Sequence, residues 1–198
     1  MDDNKIKWIF VISAGLLLLM IAAAVIVYRM GLSDTSIPVY GEVAPFSYTE
    51  RNGQAFGSDQ LQGKISVVNF FFTACEGPCP RMNGKVAELF RVFKDDPGVQ
   101  FVSISVDPDR DSLQALQQYA LQFGVSDRRW LFLRAPIEEV KKLSEKTFML
   151  ATGDAPGMHS TKLILIDGET KVRGYYSSED PQSLRLLQTH IRQLIKEP

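Results

Sequence analysis

The chain has 198 residues and a formal net charge of −1, from 22 Lys+Arg against 23 Asp+Glu. That balance leaves no basic footprint for nucleic acid, and the length suits one domain plus a further segment. Apolar residues make up 45%, an ordinary share, but they are concentrated at the N-terminus.

Trp8 to Tyr28 carry no charge. As a helix they would reach about 31 Å, against a hydrocarbon core of about 30 Å. Trp8 and Tyr28 stand at the ends, where interfacial aromatics belong. The run is longer than the apolar core of a secretory signal, and it continues past Ala22-Ala23-Ala24. Residues 1–30 are therefore expected to be an uncleaved transmembrane anchor. Lys5 and Lys7 before the span place the N-terminus in the cytoplasm and the body on the periplasmic, extracytoplasmic face. No Arg- and Ser-rich transit peptide precedes the span, so a bacterial inner membrane is expected. Residues 31–42 read as a linker, and residues 43–198 as the folded domain.

In that domain, Phe46-Ser47-Tyr48 and Gln54-Ala55-Phe56 flank Asn52-Gly53, which predicts an N-terminal β-hairpin with a type I′ turn. Ile65 to Phe72 is β-branched, aromatic and almost continuously apolar, the pattern of a strand buried on both faces. Met82, Val86, Leu89 and Phe93 then mark one helix face. Val99 to Val106 is a second buried strand, ending in Asp107-Pro108-Asp109-Arg110-Asp111. Leu113, Leu116, Ala120 and Phe123 predict a second helix, capped by Asp111 or Ser112. Trp130 to Leu133 is a short strand. Pro136 suits the first position of a third helix, with Ile137, Val140 and Leu143 or Ser144 inward. A loop from Ala151 to Gly157 runs through Met158-His159-Ser160-Thr161 into a strand, Lys162 to Ile166. Asp167-Gly168 turns it into another, Lys171 to Tyr176. Asp180-Pro181 opens the last helix, whose inward face is Leu184, Leu187, Ile191 and Leu194. His190 flanks that face and reads as a surface residue. The order predicts an α/β sandwich with a mixed sheet.

Both cysteines lie in Thr73-Ala74-Cys75-Glu76-Gly77-Pro78-Cys79-Pro80, between the first buried strand and the first helix. Proline restricts the residue before it, so Pro80 is expected to begin the helix with Cys79 at its cap. Both sulfurs would then lie near the positive end of the helix dipole, which favours thiolate. A structural disulfide closing so short a loop would constrain little of the unfolded chain. A redox-active pair and a shared metal remain. His159, before a late strand, can approach the same end of the sheet, and two thiolates with one imidazole form a soft set suited to copper. A loop histidine with a structural partner is the competing reading.

Three motifs in this order, Cys-x-x-x-Cys-Pro at 75–80, Asp-Pro-Asp-Arg-Asp at 107–111 and His159-Ser160, resemble those of the Sco/SenC family. The resemblance covers roughly residues 40–196. It implies a thioredoxin-like fold with an N-terminal hairpin behind one transmembrane helix. It also implies copper, as Cu(I) or Cu(II), held by Cys75, Cys79 and His159. The implied role is maturation of the dinuclear copper centre of cytochrome c oxidase, by delivering copper or by reducing that centre's cysteines. Partners would be the copper-bearing oxidase subunit and other copper chaperones or thiol reductants, at a membrane and without nucleic acid. Two positions depart from the usual pattern. Glu76 follows the first cysteine and should raise the thiol pKa; Met158 precedes the histidine and reads as packing.

The leading expectation is a copper-binding assembly factor with little turnover. The alternative is an extracytoplasmic thiol–disulfide oxidoreductase that reduces a partner's cysteines through Cys75 and Cys79. The spacing disfavours it, because the dedicated redox motif is Cys-x-x-Cys. Peroxide reduction lacks a Thr-x-x-Cys.

Overall fold

The computed structural model describes residues 3–31, 36–125, 127–150 and 160–196. The chain divides into two compact units, 1–37 and 38–198. The first contains helix α1, Asp3–Gly31, whose described side chains, 12–26, are exposed. That stretch is shorter than the roughly 20 residues a bilayer crossing needs, and among the described residues no helix is long and apolar enough to cross a membrane.

The second unit is built on one eight-stranded sheet. Its strands are β1 (Gly41–Glu42), β2 (Ser47–Glu50), β3 (Ala55–Gly57), β4 (Ile65–Phe71), β5 (Val99–Ser105), β6 (Trp130–Arg134), β7 (Lys162–Ile166) and β8 (Lys171–Ser177), in the spatial order β1-β8-β7-β4-β5-β6-β2-β3. β4, β5 and β6 run parallel, and every other pairing is antiparallel. The helices are α2 (Pro78–Val92), α3 (Leu113–Gln122), α4 (Ile137–Lys146) and α5 (Pro181–Lys196). This is the expected mixed α/β sheet with its N-terminal hairpin, β2–β3.

All seven residues of β4 and all seven of β5 are buried, as their apolar runs predict for central strands covered on both sides. On one face, Phe71 and Phe132 pack on Tyr119 of α3, and Phe101 and Trp130 pack on Phe90 of α2. On the other, Phe70 meets Phe148 beyond α4, and α5 lies over β4 and β8. Each such side chain, removed from water, contributes about 1.5–3 kcal/mol. The parallel strands also deliver their C-terminal ends, Phe71 and Ser105, to the same end of the sheet.

Several local expectations shift. Asn52-Gly53 is not a type I′ turn. Gly53 alone takes a positive φ, +86°, and Glu50 N donates to Gln54 O. The loop therefore has three residues, a turn closed by a left-handed glycine, a common alternative for hairpins. The β7–β8 turn is similar, but there the left-handed residue is Thr170, at φ 62°, not Gly168. Pro136 is the cap of α4 and Ile137 its first residue. Asp180 caps α5 as expected, its carboxylate accepting from Gln182 N and Ser183 N. His190 is not a free surface residue: its Nδ1 lies 2.6 Å from Tyr176 Oη.

Gly174 of β8 lies under the ring of Tyr176, two residues on, and glycine in a strand often marks such close approach. A Cβ at Gly174 would stand 2.5 Å from Tyr176 Oη and 2.8 Å from Cζ. Tyr176 is buried and has little room to yield. Gly174→Ala is expected to cost about 1–3 kcal/mol through overpacking, read as a lower urea midpoint with an unchanged slope.

Candidate metal and redox centre

β4 carries the chain to the cysteines through buried Phe72, and Cys75 N donates to Phe72 O at 3.3 Å. Gly77 caps α2 without a side-chain bond, and Pro78 and Cys79 are its first two residues. The expectation that Pro80 begins the helix is therefore two residues late. The first four N–H groups of a helix have no intrahelical acceptor, so Pro78 and Pro80 both fit in the first turn without losing a bond. Cys79 sits inside that turn.

Cys75 and Cys79 are both free thiols and both buried, 7% and 2% exposed. They hydrogen-bond to one another through their side chains. Burial pushes the Cys79 thiol up to about 12; the bond to Cys75 adds to this, a backbone bond with Phe72 opposes it, and the charges of Cys75 and Asp111 add further. This corrects the expectation of a thiolate favoured by the helix dipole: removal from water outweighs the dipole. It also reassigns the carboxylate at work. Glu76 is exposed, and Asp111 is the acidic side chain that acts on Cys79.

Asp111 is fully buried. Its carboxylate accepts from Thr73 N at 3.1 Å, from Thr73 Oγ1 at 2.5 Å and from Ser105 Oγ at 2.5 Å. Ser105 Oγ in turn accepts from Asp107 N at 3.1 Å. Asp111 thus ties the start of the cysteine loop to the end of β5. It does not cap α3. Ser112 does so, accepting from Ala115 N. Asp107 pairs with Arg110 at 3.6 Å, within its own turn.

Behind the cysteines runs a buried polar chain that the apolar patterns concealed. Trp130 Nε1 donates to Ser103 Oγ at 2.9 Å, and Ser103 Oγ donates to Asn69 Oδ1 at 2.8 Å. Asn69 Nδ2 donates to Asn83 Oδ1 at 3.0 Å, and Asn83 Nδ2 donates to Tyr119 Oη at 3.1 Å. The available signal was polarity out of place: Asn69 and Ser103 inside apolar strands, and Asn83 one turn beyond Cys79.

His159 and Met158 lie outside the described residues. Ser160 and Thr161 lead into β7, which runs antiparallel to β4, so β7 begins at the end of the sheet where β4 releases the cysteines. Among the described residues, no group of three or more His, Cys, Asp or Glu is placed to hold a metal ion. Two thiols within hydrogen-bond range do fit a soft cation. A cavity of about 580 Å³ lies at the opposite end of the sheet, against Gly63, Pro97, Gly168 and Arg173, with no cysteine in its wall.

A family model described as SCO1/SenC matches residues 37–196. The chain resembles the crystal structure of a SCO1/SenC family lipoprotein from Bacillus anthracis str. Ames, at 32% identity and TM-score 0.72, over 80% of this chain and 98% of that one. It also resembles BsSco, a protein described as having a disulfide switch and as a member of the Sco family of cytochrome c oxidase assembly proteins; there the identity is 24% and the TM-score 0.73, over 82% and 98% of the two chains. A third likeness is to Arabidopsis thaliana ScoI, solved with copper bound, at 25% identity and TM-score 0.65, over 77% and 99%.

Two outcomes follow from this geometry. Cys79 has its folded-state pKa raised, from 9.0 to about 12. Between those values the folded form keeps a proton that the unfolded form has lost, so stability falls as pH rises through this window. Denaturation of the reduced, metal-free protein from pH 8 to 12 is expected to show that fall, and Cys79→Ala is expected to flatten part of it. Asp111→Asn replaces an all-acceptor group with one that also donates, facing two hydroxyls and an amide. The expected cost is about 2–3 kcal/mol, with faster labelling of Cys75 by a thiol reagent.

Proposed function

Since the chain belongs to the SCO1/SenC family, we propose that it is a membrane-anchored copper chaperone that helps mature the dinuclear copper centre of cytochrome c oxidase. Residues 1–30 are the anchor, 31–42 the linker and 43–198 the copper-binding domain. The uncharged run from Trp8 to Tyr28 and the lysines before it support a single span with a cytoplasmic N-terminus and a periplasmic body. Copper is the cargo, held by Cys75, Cys79 and His159. The oxidase's copper-bearing subunit is the client, and copper chaperones or thiol reductants are the upstream partners.

The observation that carries this reading is the pair of buried, mutually bonded thiols in the first turn of α2. Buried thiols with a raised pKa make poor free nucleophiles, which weighs against the oxidoreductase alternative. They remain good ligands for a soft cation, which binds the deprotonated sulfur and releases the proton. The start of β7 at the same end of the sheet supports His159 as the third ligand. Asp111 holds Thr73, and with it the loop that presents Cys75.

Titrating Cu(I) and Cu(II) into the reduced protein tests the reading. One copper is expected per chain, with Kd below about 1 μM. His159→Ala is expected to weaken binding at least tenfold, on the order of 1.4 kcal/mol. Equal binding by that variant would remove His159 from the site, and no binding by either protein would remove copper.

A further inference from the structure

The buried polar chain behind the cysteines has a direction. At one end, the indole N–H of Trp130 can only donate, so Ser103 Oγ accepts from it and passes its own proton to Asn69 Oδ1. In the middle, the thioether of Met82 lies 3.9 Å from Asn69 Nδ2. A thioether can only accept, which orients the Asn69 amide the same way. Asn69 Nδ2 then donates to Asn83 Oδ1, and Asn83 Nδ2 to Tyr119 Oη. Every link spends its proton toward Tyr119. Tyr119 Oη is already accepting, so its own O–H is the donor left over.

That hydroxyl is buried, on a side chain 4% exposed, and among the described residues its O–H has no acceptor. Burial raises its pKa far above the ordinary tyrosine value; the bond from Asn83 opposes this, and the charges of Cys79, Cys75 and Asp111 add to it. It therefore stays a donor, with three acceptor groups around it. Asp111 already accepts from Thr73 and Ser105. The sulfurs are what remain. Asn83 lies four residues beyond Cys79 on α2, one helical turn of about 5.4 Å, which puts its partner Tyr119 Oη close to Cys79.

We propose that the Tyr119 hydroxyl donates to the Cys79–Cys75 sulfurs and tunes them, stabilising the electron-rich sulfur of the reduced pair and of the copper-bound state. The copper-bound half of this rests on the reading above; the dithiol half does not. Hydrogen bonds to cysteine sulfur are an established lever on the potential of thiolate sites. The four preceding residues fix the orientation of the hydroxyl by using every other proton in the chain.

The test compares the full-length protein in detergent with Tyr119→Phe, which keeps the ring against Phe71 and Phe132. Ser103→Ala is the structural control: it breaks the same chain at its far end and leaves the Tyr119 hydroxyl in place. The metal-free dithiol is equilibrated with glutathione. Cys75 and Cys79 give two electrons and two protons to oxidised glutathione, one S–S bond forms between them, and two glutathione thiols are released. Without the donor the reduced pair is less stable. Tyr119→Phe is expected to favour the disulfide by on the order of tenfold, about 30 mV toward lower potential. Ser103→Ala is expected to lose stability yet keep the equilibrium constant within about twofold of the parent.

A Tyr119→Phe protein that loses stability but keeps the parent equilibrium constant overturns the proposal and leaves Tyr119 as the acceptor that ends the chain. A shift shared equally by Ser103→Ala overturns it too. In Cu(II)-loaded protein, the sulfur-to-copper absorption band is expected at lower energy in Tyr119→Phe only. If no variant binds copper, the function proposed above fails, and the glutathione equilibrium still decides the role of Tyr119.

Discussion

The carboxylate of Asp111 is the contact on which the site depends. It is removed from water, which costs several kcal/mol for an ionised group unless hydrogen bonds replace the lost solvent. Thr73 supplies a backbone and a hydroxyl donor, and Ser105 supplies another hydroxyl. These belong to the two central parallel strands, one residue beyond the buried run at Phe72 and at the last residue of β5. The bonds that solvate Asp111 therefore also fix the point where the cysteine loop leaves the sheet.

The same carboxylate acts on the thiols through space. Its charge, with burial and the mutual bond of the pair, keeps the proton on Cys79. A surface dithiol at a helix start would be more reactive and less selective. Here the sulfurs are withdrawn from solvent, held together and kept protonated until a soft cation or an oxidant takes the place of the proton. The oriented amide and hydroxyl chain beneath them keeps this environment rigid. Each of its members is buried and partnered, the condition under which internal polarity specifies a structure without destabilising it.

The errors of local reading share one cause. Proline preferences describe an average peptide, yet the first helical turn needs no N–H from Pro78 or Pro80. Asn52-Gly53 favours one hairpin turn in isolation, but Gln54 pairs with Glu50, and the loop takes three residues. Thr170 adopts a left-handed φ that a threonine rarely takes, because Asp167 N and Lys171 O close the β7–β8 turn around it. Asp111 was read as a cap because caps are local. Its true partners lie 38 and 6 residues away, and Ser112 was left to cap the helix.

Much was legible without coordinates. The apolar runs at 65–72 and 99–106 identify the central strands, because only residues covered on both faces can be apolar at every position. Helical spacing, the Asp180-Pro181 start and the two thiols flanking Gly77-Pro78 depend on neighbours in sequence. So does the uncharged stretch from Trp8 to Tyr28. What only the tertiary structure decided is set across the sheet: the burial that raises Cys79, the grip of Asp111 on Thr73, and the alignment of Trp130, Ser103, Asn69, Asn83 and Tyr119 behind the sulfurs. Solvent exclusion and hydrogen-bond direction arise when distant strands pack together, so no local pattern contains them.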